Sequence, residues 1–337
     1  MSPVLHAALQ RFKRNRLGFF CTIIFLIIFV LSLGAEWIAN DKPLVVRYQQ
    51  QYYFPVLQQY PETQFGGVFE TEADYKDPVV QQLITAQGWM LWPVIRYSYQ
   101  SPNLALDGAV PSAPSRENWL GTDDQGRDVL TRILYGLRVS LLFSLALTLS
   151  AASLGVLVGA IQGYFGGWVD LLGQRILEVW GGLPSLFVVM IVVSMFSPNI
   201  YWLFLIMLFF GWPALVGLVR AEFLKSRQLD YVKAAQLLGV GHWRMIWRHI
   251  LPNALTSSLS QIPLMLTANV TALTALDYLG YGLPPDAASL GELLLQAKNN
   301  LDAPWLAIAS FVSLALVLSL LIYMGEAIRD AFDPRRQ

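Results

Sequence analysis

Apolar residues run almost unbroken through six stretches of the chain, at 17–38, 139–162, 175–196, 200–219, 255–279 and 305–323. A membrane helix needs roughly 20 predominantly apolar residues to cross about 30 Å of hydrocarbon. The pattern therefore predicts an all-α integral membrane protein with six transmembrane helices. Between the first and second stretches lies a polar segment rich in Tyr, Gln and Pro that no hydrophobic window claims. It predicts an extramembrane insertion over 39–138, including the lead-in to the second span. The rest divides into an N-terminal segment 1–16, a core 139–328 containing a loop at 220–254, and a C-terminal segment 329–337.

Basic residues set the expected orientation. Arg11, Lys13, Arg14 and Arg16 directly precede the first stretch, which assigns the N-terminus to the cytoplasm by the positive-inside rule. Six crossings return the C-terminus to the same side. Arg220, Lys225, Arg227, Lys233, Arg244 and Arg248 after the fourth stretch agree, as do Arg329, Arg335 and Arg336 after the sixth. The segment 42–138 carries basic residues outside, where the rule is weak for long translocated domains. A cleaved signal peptide is the rival reading of the first stretch, with small residues at Ser32, Gly34 and Ala35. Against it, the run is long and rich in Ile and Phe, and losing it would reverse the side of every later basic segment.

Composition narrows the function. The chain is 55% hydrophobic and 14% charged, against about 25% charged in soluble domains. Its 23 basic residues balance 23 acidic ones, so no global field favours nucleic acid, and the expected surroundings are a lipid bilayer. A single cysteine, Cys21, excludes an intrachain disulfide and a cysteine-based metal site. No lysine follows a glycine, so the phosphate-cradling G-x-x-x-x-G-K-[ST] loop is absent and any ATP and Mg²⁺ belong to another chain. His6, His242 and His249 form no metal-binding pattern. Asp123, Asp124 and Asp128 are interleaved with Arg127 and Arg132, which favours an ion-pair network over a calcium site.

One segment stands out between two apolar runs: "YVKAAQLLGVGHWRMIWRHILPNAL", 231–255. Asp230 is placed to cap a helix over 231–238, Gly239 and Gly241 to break it, and 242–250 to form a second helix ended by Pro252. Val232, Ala235 and Leu238 would give the first an apolar edge, and Trp243, Ile246 and Ile250 the second. A headgroup-lying amphipathic helix and a docking element for a cytosolic partner are both open on these grounds. "AAQLLG" and, nine residues on, "HILPN" resemble the EAA loop of ABC importer permeases. Ala234, Ala235, Gly239, Leu251 and Pro252 match that pattern, while Lys233 stands where Glu is usual and His249 where Ile is usual. The resemblance implies a coupling helix inserted into a cytoplasmic ABC ATPase with two nucleotide-binding domains. "GTDDQGRD", "LGYGLPPD" and "GEAIRDAFDPR" are similar to signatures of the dipeptide and oligopeptide branch. The 39–138 segment and "LGELLLQAKNNLDAPWL" resemble permeases of peptide and microcin C importers. These resemblances imply the type I permease fold, a second homologous permease subunit, a periplasmic peptide-binding protein, a peptide substrate, and no catalysis or cofactor on this chain.

Other patterns bear on packing and passage. Ala151, Gly155, Gly159 and Gly163 recur every four residues, one face of a helix that another helix can approach closely, within this chain or on the partner permease. Ser260, Thr267, Thr271, Thr274 and Asp277 form a polar stripe in the fifth stretch. Such a stripe either satisfies backbone carbonyls or lines a wet passage. Arg175 and Glu178 are three residues apart and favour an intrahelical pair, with Glu178 alternatively lining the inner mouth. Gly181, Gly182 and Pro184 weaken the helix beyond them, as a hinge or a packing site. The aromatics Tyr48, Tyr52, Tyr53, Phe54, Trp89 and Trp92 argue that 39–138 folds, either as a small core or as a contact for the peptide-delivering receptor. A secondary transporter would show inverted repeats, which the two halves lack, and a tethered periplasmic enzyme would need a nucleophile and base that 39–138 does not supply.

Overall fold

A computed structural model describes residues 3–104, 106, 108–195, 199–284 and 286–332. The chain opens with α1 (Pro3–Arg14), α2 (Arg16–Leu33) and α3 (Ala35–Ile38), then strands β1 (Val45–Tyr48) and β2 (Gln51–Tyr53), α4 (Pro78–Gln87) and β3 (Gly88–Leu91). There follow α5 (Val129–Phe165), α6 (Gly167–Gly181), α7 (Ser185–Ser194), α8 (Ile200–Gly211) and α9 (Val216–Ser226). The short helices α10 (Asp230–Leu237) and α11 (His242–Arg244) lead into α12 (Leu251–Leu259), α13 (Ile262–Tyr278), α14 (Leu290–Asn299) and α15 (Pro304–Phe332).

Among the described residues, four helical runs are long and apolar enough to cross a membrane: Arg16–Leu33, Val129–Phe165, Ile200–Ser226 and Pro304–Phe332. A fifth candidate is the pair α6 and α7, bent by 70° at the break. Gly181 ends α6, Gly182 and Pro184 lie in the break, and Pro184 disfavours helix at the residue before it. The expected span at 255–279 is instead divided between α12 and α13, with Pro263 in the first turn of α13, so neither helix reaches spanning length alone. The chain is thus a mostly helical membrane protein with four to five candidate spans. α5 begins at Val129 and α15 runs to Phe332, beyond the expected 139 and 323. Phe196, Arg335 and Arg336, named in the sequence expectations, lie outside the described residues.

Two compact units divide the chain, one of Met1–Leu26, Leu141–Pro284 and Ala315–Gln337, the other of Ile27–Ser140 and Pro285–Leu314. The second unit contains an antiparallel sheet ordered β2-β1-β3, with Val46 opposite Tyr53 and Met90. Gln49 and Gln50 both take positive φ, 48° and 66°, the conformation of a two-residue hairpin turn whose twist suits the flanking strands. Asp77 caps α4 by accepting from the Val79 amide at 2.7 Å, with Pro78 preset for the first turn. The buried Phe65 ring meets Tyr48, Tyr53, Tyr60 and Tyr75 edge-on at centroid distances of 5.7, 5.3, 6.4 and 5.7 Å. Of the six aromatics named from the sequence, Tyr48 and Tyr53 join this core and Trp92 packs against it, while Tyr52, Phe54 and Trp89 are exposed.

The same unit encloses an ion network. Arg127 Nε donates to Asp123 Oδ2 at 2.7 Å, and the wholly buried Arg132 reaches Glu292 Oε2 at 2.5 Å and lies 3.5 Å from Asp123 Oδ2. Arg132 also donates to the carbonyls of Tyr99 and Ala287. Asp128 accepts from the Thr131 amide at 2.7 Å at the start of α5 and from the Asn118 side chain at 2.9 Å. Of the three aspartates, Asp123 forms the expected ion pairs, whereas Asp128 is held by an amide and an asparagine side chain. Burial raises the Glu292 carboxyl above the usual carboxylate range, against the opposing pull of Arg132 and Arg127.

In the first unit the glycine face of α5 lies against α9 and the 3-10 turn before it. A Cβ at Gly155 would come 2.7 Å from the Trp212 carbonyl oxygen, at Gly159 2.7 Å from that of Val216, and at Gly163 2.6 Å from that of Arg220. The neighbour is thus intrachain. Backbone atoms cannot retreat as a side chain can, so Gly159→Leu should destabilise the protein by about 1–3 kcal/mol. Thermal unfolding of the purified variant reads that loss, and a wild-type midpoint would show that the two helices separate readily.

Candidate functional site

The 231–255 segment folds as an elbow on this helical base. α10 ends in a glycine-centred cap: Gly239 takes φ +78°, its amide donates to the Gln236 carbonyl at 3.0 Å, and the Val240 amide donates to the Ala235 carbonyl at 3.1 Å. This 5→2 and 6→1 pair is a Schellman motif, and it folds Val240 back over Ala235. Val232, Met245, Ile246 and Ile250 are buried with Tyr164, Val219 and Phe223, and Ala235 and Val240 pack at the edge of that cluster. The elbow is consequently seated on α5 and α9.

Four local expectations need correction, the first being that Trp243 does not share the buried edge of Ile246 and Ile250 but is exposed. Asp230 is the first residue of α10 and not its cap, because Leu229 holds the cap position without a side-chain bond. Leu238 does not complete an apolar edge with Val232 and Ala235: it is 84% exposed, beside Leu237 at 89%. The left-handed Gly239 turns the chain directly after Leu238, which carries that side chain off the buried face. Pro252 does not end the second helix. A π-helical stretch, Met245–Ile250, widens the turn ahead of it and Pro252 falls in the first turn of α12. Pro lacks an N–H and its ring crowds the preceding turn of an α-helix, so a wider turn accommodates it.

What remains outward combines large apolar side chains with basic ones. Leu237, Leu238, Trp243 and Trp247 are exposed, and Lys233, Ala234, His242, Arg244 and Arg248 are exposed around them. His249 is half-buried, its carbonyl accepting from the Tyr231 hydroxyl at 3.3 Å, and Leu251 is buried. Tyr164 Oη lies 2.8 Å from His242 Nδ1, tying the elbow to the end of α5. Asp170 of α6 forms a two-point ion pair with Arg220 of α9, with Arg220 Nη2 to Asp170 Oδ2 at 2.6 Å. Sequence reasoning missed that pair. The signal was an Asp and an Arg at the ends of adjacent apolar stretches.

The polar stripe is less uniform than its spacing. Thr267, Thr271 and Thr274 each donate to the carbonyl four residues earlier, at 2.9 Å in all three cases. Thr271 is exposed, Thr267 half-buried, and Ser260 and Thr274 buried. Asp277 is buried and accepts from the Leu283 amide at 2.7 Å, holding the turn after α13. Glu178 is exposed and paired with Arg175 at 2.5 Å. Asn269, absent from the sequence expectation, donates to Thr148 of α5 at 2.8 Å and lines a cavity of about 220 Å³ with Ser185, Met207 and Ala272. An amide in the middle of an apolar helix was its signal.

A mostly helical membrane scaffold carrying an exposed elbow points to the class of membrane transport components. Residues 155–337 match the family described as binding-protein-dependent transport system inner membrane component, and residues 4–61 match the N-terminal TM domain of oligopeptide transport permease C. The chain belongs to this family of inner-membrane ABC permeases, the non-catalytic membrane component of a system that includes an ATPase and a binding protein. It is 54% identical over 336 residues to the inner membrane ABC transporter permease protein YejE of Escherichia coli strain K12, covering 100% of this chain and 98% of that protein. It is 47% identical over 359 residues to the peptidoglycan transport system permease protein YejE of Agrobacterium fabrum, covering 99% and 94%. The dipeptide transport system permease protein DppC of Alkalihalophilus pseudofirmus is 32% identical over 240 residues, covering 71% and 77%.

Proposed function

We propose that this permease imports peptides, including microcin C-like peptide-nucleotides, across the inner membrane by alternating access, paired with a second homologous permease subunit. The observation that carries the reading is the elbow: two short helices around Gly239 with an exposed apolar surface and a buried seat on α5 and α9. A cytoplasmic ABC ATPase grips that surface, with Lys233, Ala234, Ala235, Gly239, His249, Leu251 and Pro252 forming or supporting the contact. Closure of its two nucleotide-binding domains around ATP and Mg²⁺ moves the elbow, and the packed helices carry the motion inward. This chain binds no cofactor in that scheme.

The topology in this reading has six crossings, with α12 and α13 together as the fifth and both termini cytoplasmic. The basic residues after the fourth and sixth apolar stretches support it. The 39–138 segment is then periplasmic and meets the peptide-binding protein. The passage runs along the α13 face, with Ser260, Thr267, Thr271, Thr274 and Asp277 on or behind it and Glu178 at the inner mouth. Hydroxyls suit a broad peptide specificity because they rehydrate many sequences without holding one tightly.

Uptake of labelled peptide into vesicles containing the permease pair, with receptor outside and ATPase inside, tests the function. Uptake that requires ATP and receptor supports it, and uptake driven by an ion gradient alone contradicts it. Accessibility tests the path. In a Cys21→Ser background, Thr271→Cys should react with a small water-soluble thiol reagent faster than Thr267→Cys, with Leu273→Cys protected and nucleotide changing the order. Equal protection of all three in every nucleotide state would remove the passage from this face.

A further inference from the structure

In the first unit, α1, α2, the α12–α13 break and the end of α15 surround a cavity of about 450 Å³, within the size range of small-molecule pockets of about 300–1,000 Å³. Its walls include Phe12, Thr22, Leu259, Pro263, Ile328 and Phe332. The one hydroxyl among these, Thr22 Oγ1, is already committed to the Gly18 carbonyl at 2.7 Å, so the cavity presents hydrocarbon. It exists because α2 and α15 are pinned at one level, where a Cβ on Gly18 would collide with Ala327, while the helices around the α12–α13 break leave space beside them.

Cations flank this cavity. Phe12 lies between Arg11 and Lys13, followed by Arg14 and Arg16. Lys13, Arg14 and Arg16 are exposed and form no ion pair among the described residues. Asn15 fixes their placement, since its Oδ1 accepts from the Gly18 amide at 3.1 Å and so starts α2 directly beneath the cluster. Arg16 and Thr22 are then separated by about 9 Å along the helix. Anionic charge is wanted at one level and hydrocarbon a turn or two deeper. A water-soluble anion would use only the first and an apolar helix only the second.

We propose that this cavity binds one acyl chain of an anionic glycerophospholipid whose phosphate is held by Lys13, Arg14 and Arg16. The bound lipid ties α1 to the end of α15 and to the α12–α13 break. The site is independent of which substrate the permease carries.

The test uses the full chain in nanodiscs of equal phosphatidylglycerol and phosphatidylcholine, with a photoactivatable group on the acyl chain of one lipid at a time. Phosphatidylglycerol should label peptides containing Phe12, Thr22 or Phe332 about tenfold more than phosphatidylcholine. Lys13→Gln/Arg14→Gln/Arg16→Gln should bring its labelling down to the phosphatidylcholine level. Ile262→Trp, which leaves every cation in place and fills the cavity, should suppress labelling by both. Equal labelling of the wild type by the two lipids would overturn the proposal, as would phosphatidylglycerol labelling unchanged in either variant. Cross-linking of these peptides to a second subunit in place of lipid, in the assembled importer, would also overturn it and assign the cavity to a protein contact.

Discussion

Importers carrying Leu237→Asp and Leu238→Asp together are expected to lose ATP-driven uptake by at least about 100-fold while the permease reaches the membrane at its wild-type level. Both side chains are almost fully exposed, so their replacement removes no core contact, and surface changes of this kind usually shift stability by within about 0.5 kcal/mol. Their cost falls instead on a partner that must bury them, which now meets two carboxylates. Gly239→Pro should have the same outcome by another route. Proline cannot take φ +78° and lacks the amide that donates to Gln236, so the elbow opens. Ala235→Arg forces a long cation into the edge of the Val232 and Met245 cluster. ATPase association measured by co-purification separates docking from insertion. If all three variants keep wild-type association and uptake, the elbow is an amphipathic surface element and not a coupling device.

Arg132→Ala should be the most damaging change to stability, at about 3–5 kcal/mol, because it removes the cation nearest Glu292 and leaves Arg127 alone to serve both Glu292 and the buried Asp123. Arg132 also serves the carbonyls of Tyr99 and Ala287, so its removal strands backbone acceptors from two further segments. Thermal unfolding of purified Arg132→Ala, Glu292→Gln and the double variant gives a coupling energy directly. A double variant far less destabilised than the sum of the two singles is expected. Additive, small effects would show that the network is hydrated and contributes little.

The residues that sequence made legible are those whose partners are close in the chain or whose constraint is steric. Glycine every fourth residue in an apolar run admits only a close helix approach, and Gly155, Gly159 and Gly163 make one. Gly181, Gly182 and Pro184 likewise announced the break between α6 and α7. Periodicity failed where the helix itself changed. The Schellman turn at Gly239 sent Leu238 outward, and the π-helical stretch carried the chain through Pro252, neither of which a 3.6-residue period anticipates. The division of 255–279 into α12 and α13 was hidden because the run stays apolar across the break. Partners far apart in sequence were equally hidden: Glu292 lies 160 residues beyond Arg132, and Arg220 lies 50 beyond Asp170. Nothing local marks which distant carboxylate a buried guanidinium will choose.

In the proposed mechanism the ATPase grips the exposed face of the elbow. The most direct measurement of that contact is site-specific cross-linking from Leu238→Cys, in a Cys21→Ser background, within the assembled importer. Adducts to the ATPase chain are expected, in a yield that changes between nucleotide-free and ATP-bound states, with Leu251→Cys, buried in the same segment, giving none. Adducts confined to lipid, or an ATPase adduct formed equally well from Leu251→Cys, would contradict that mechanism.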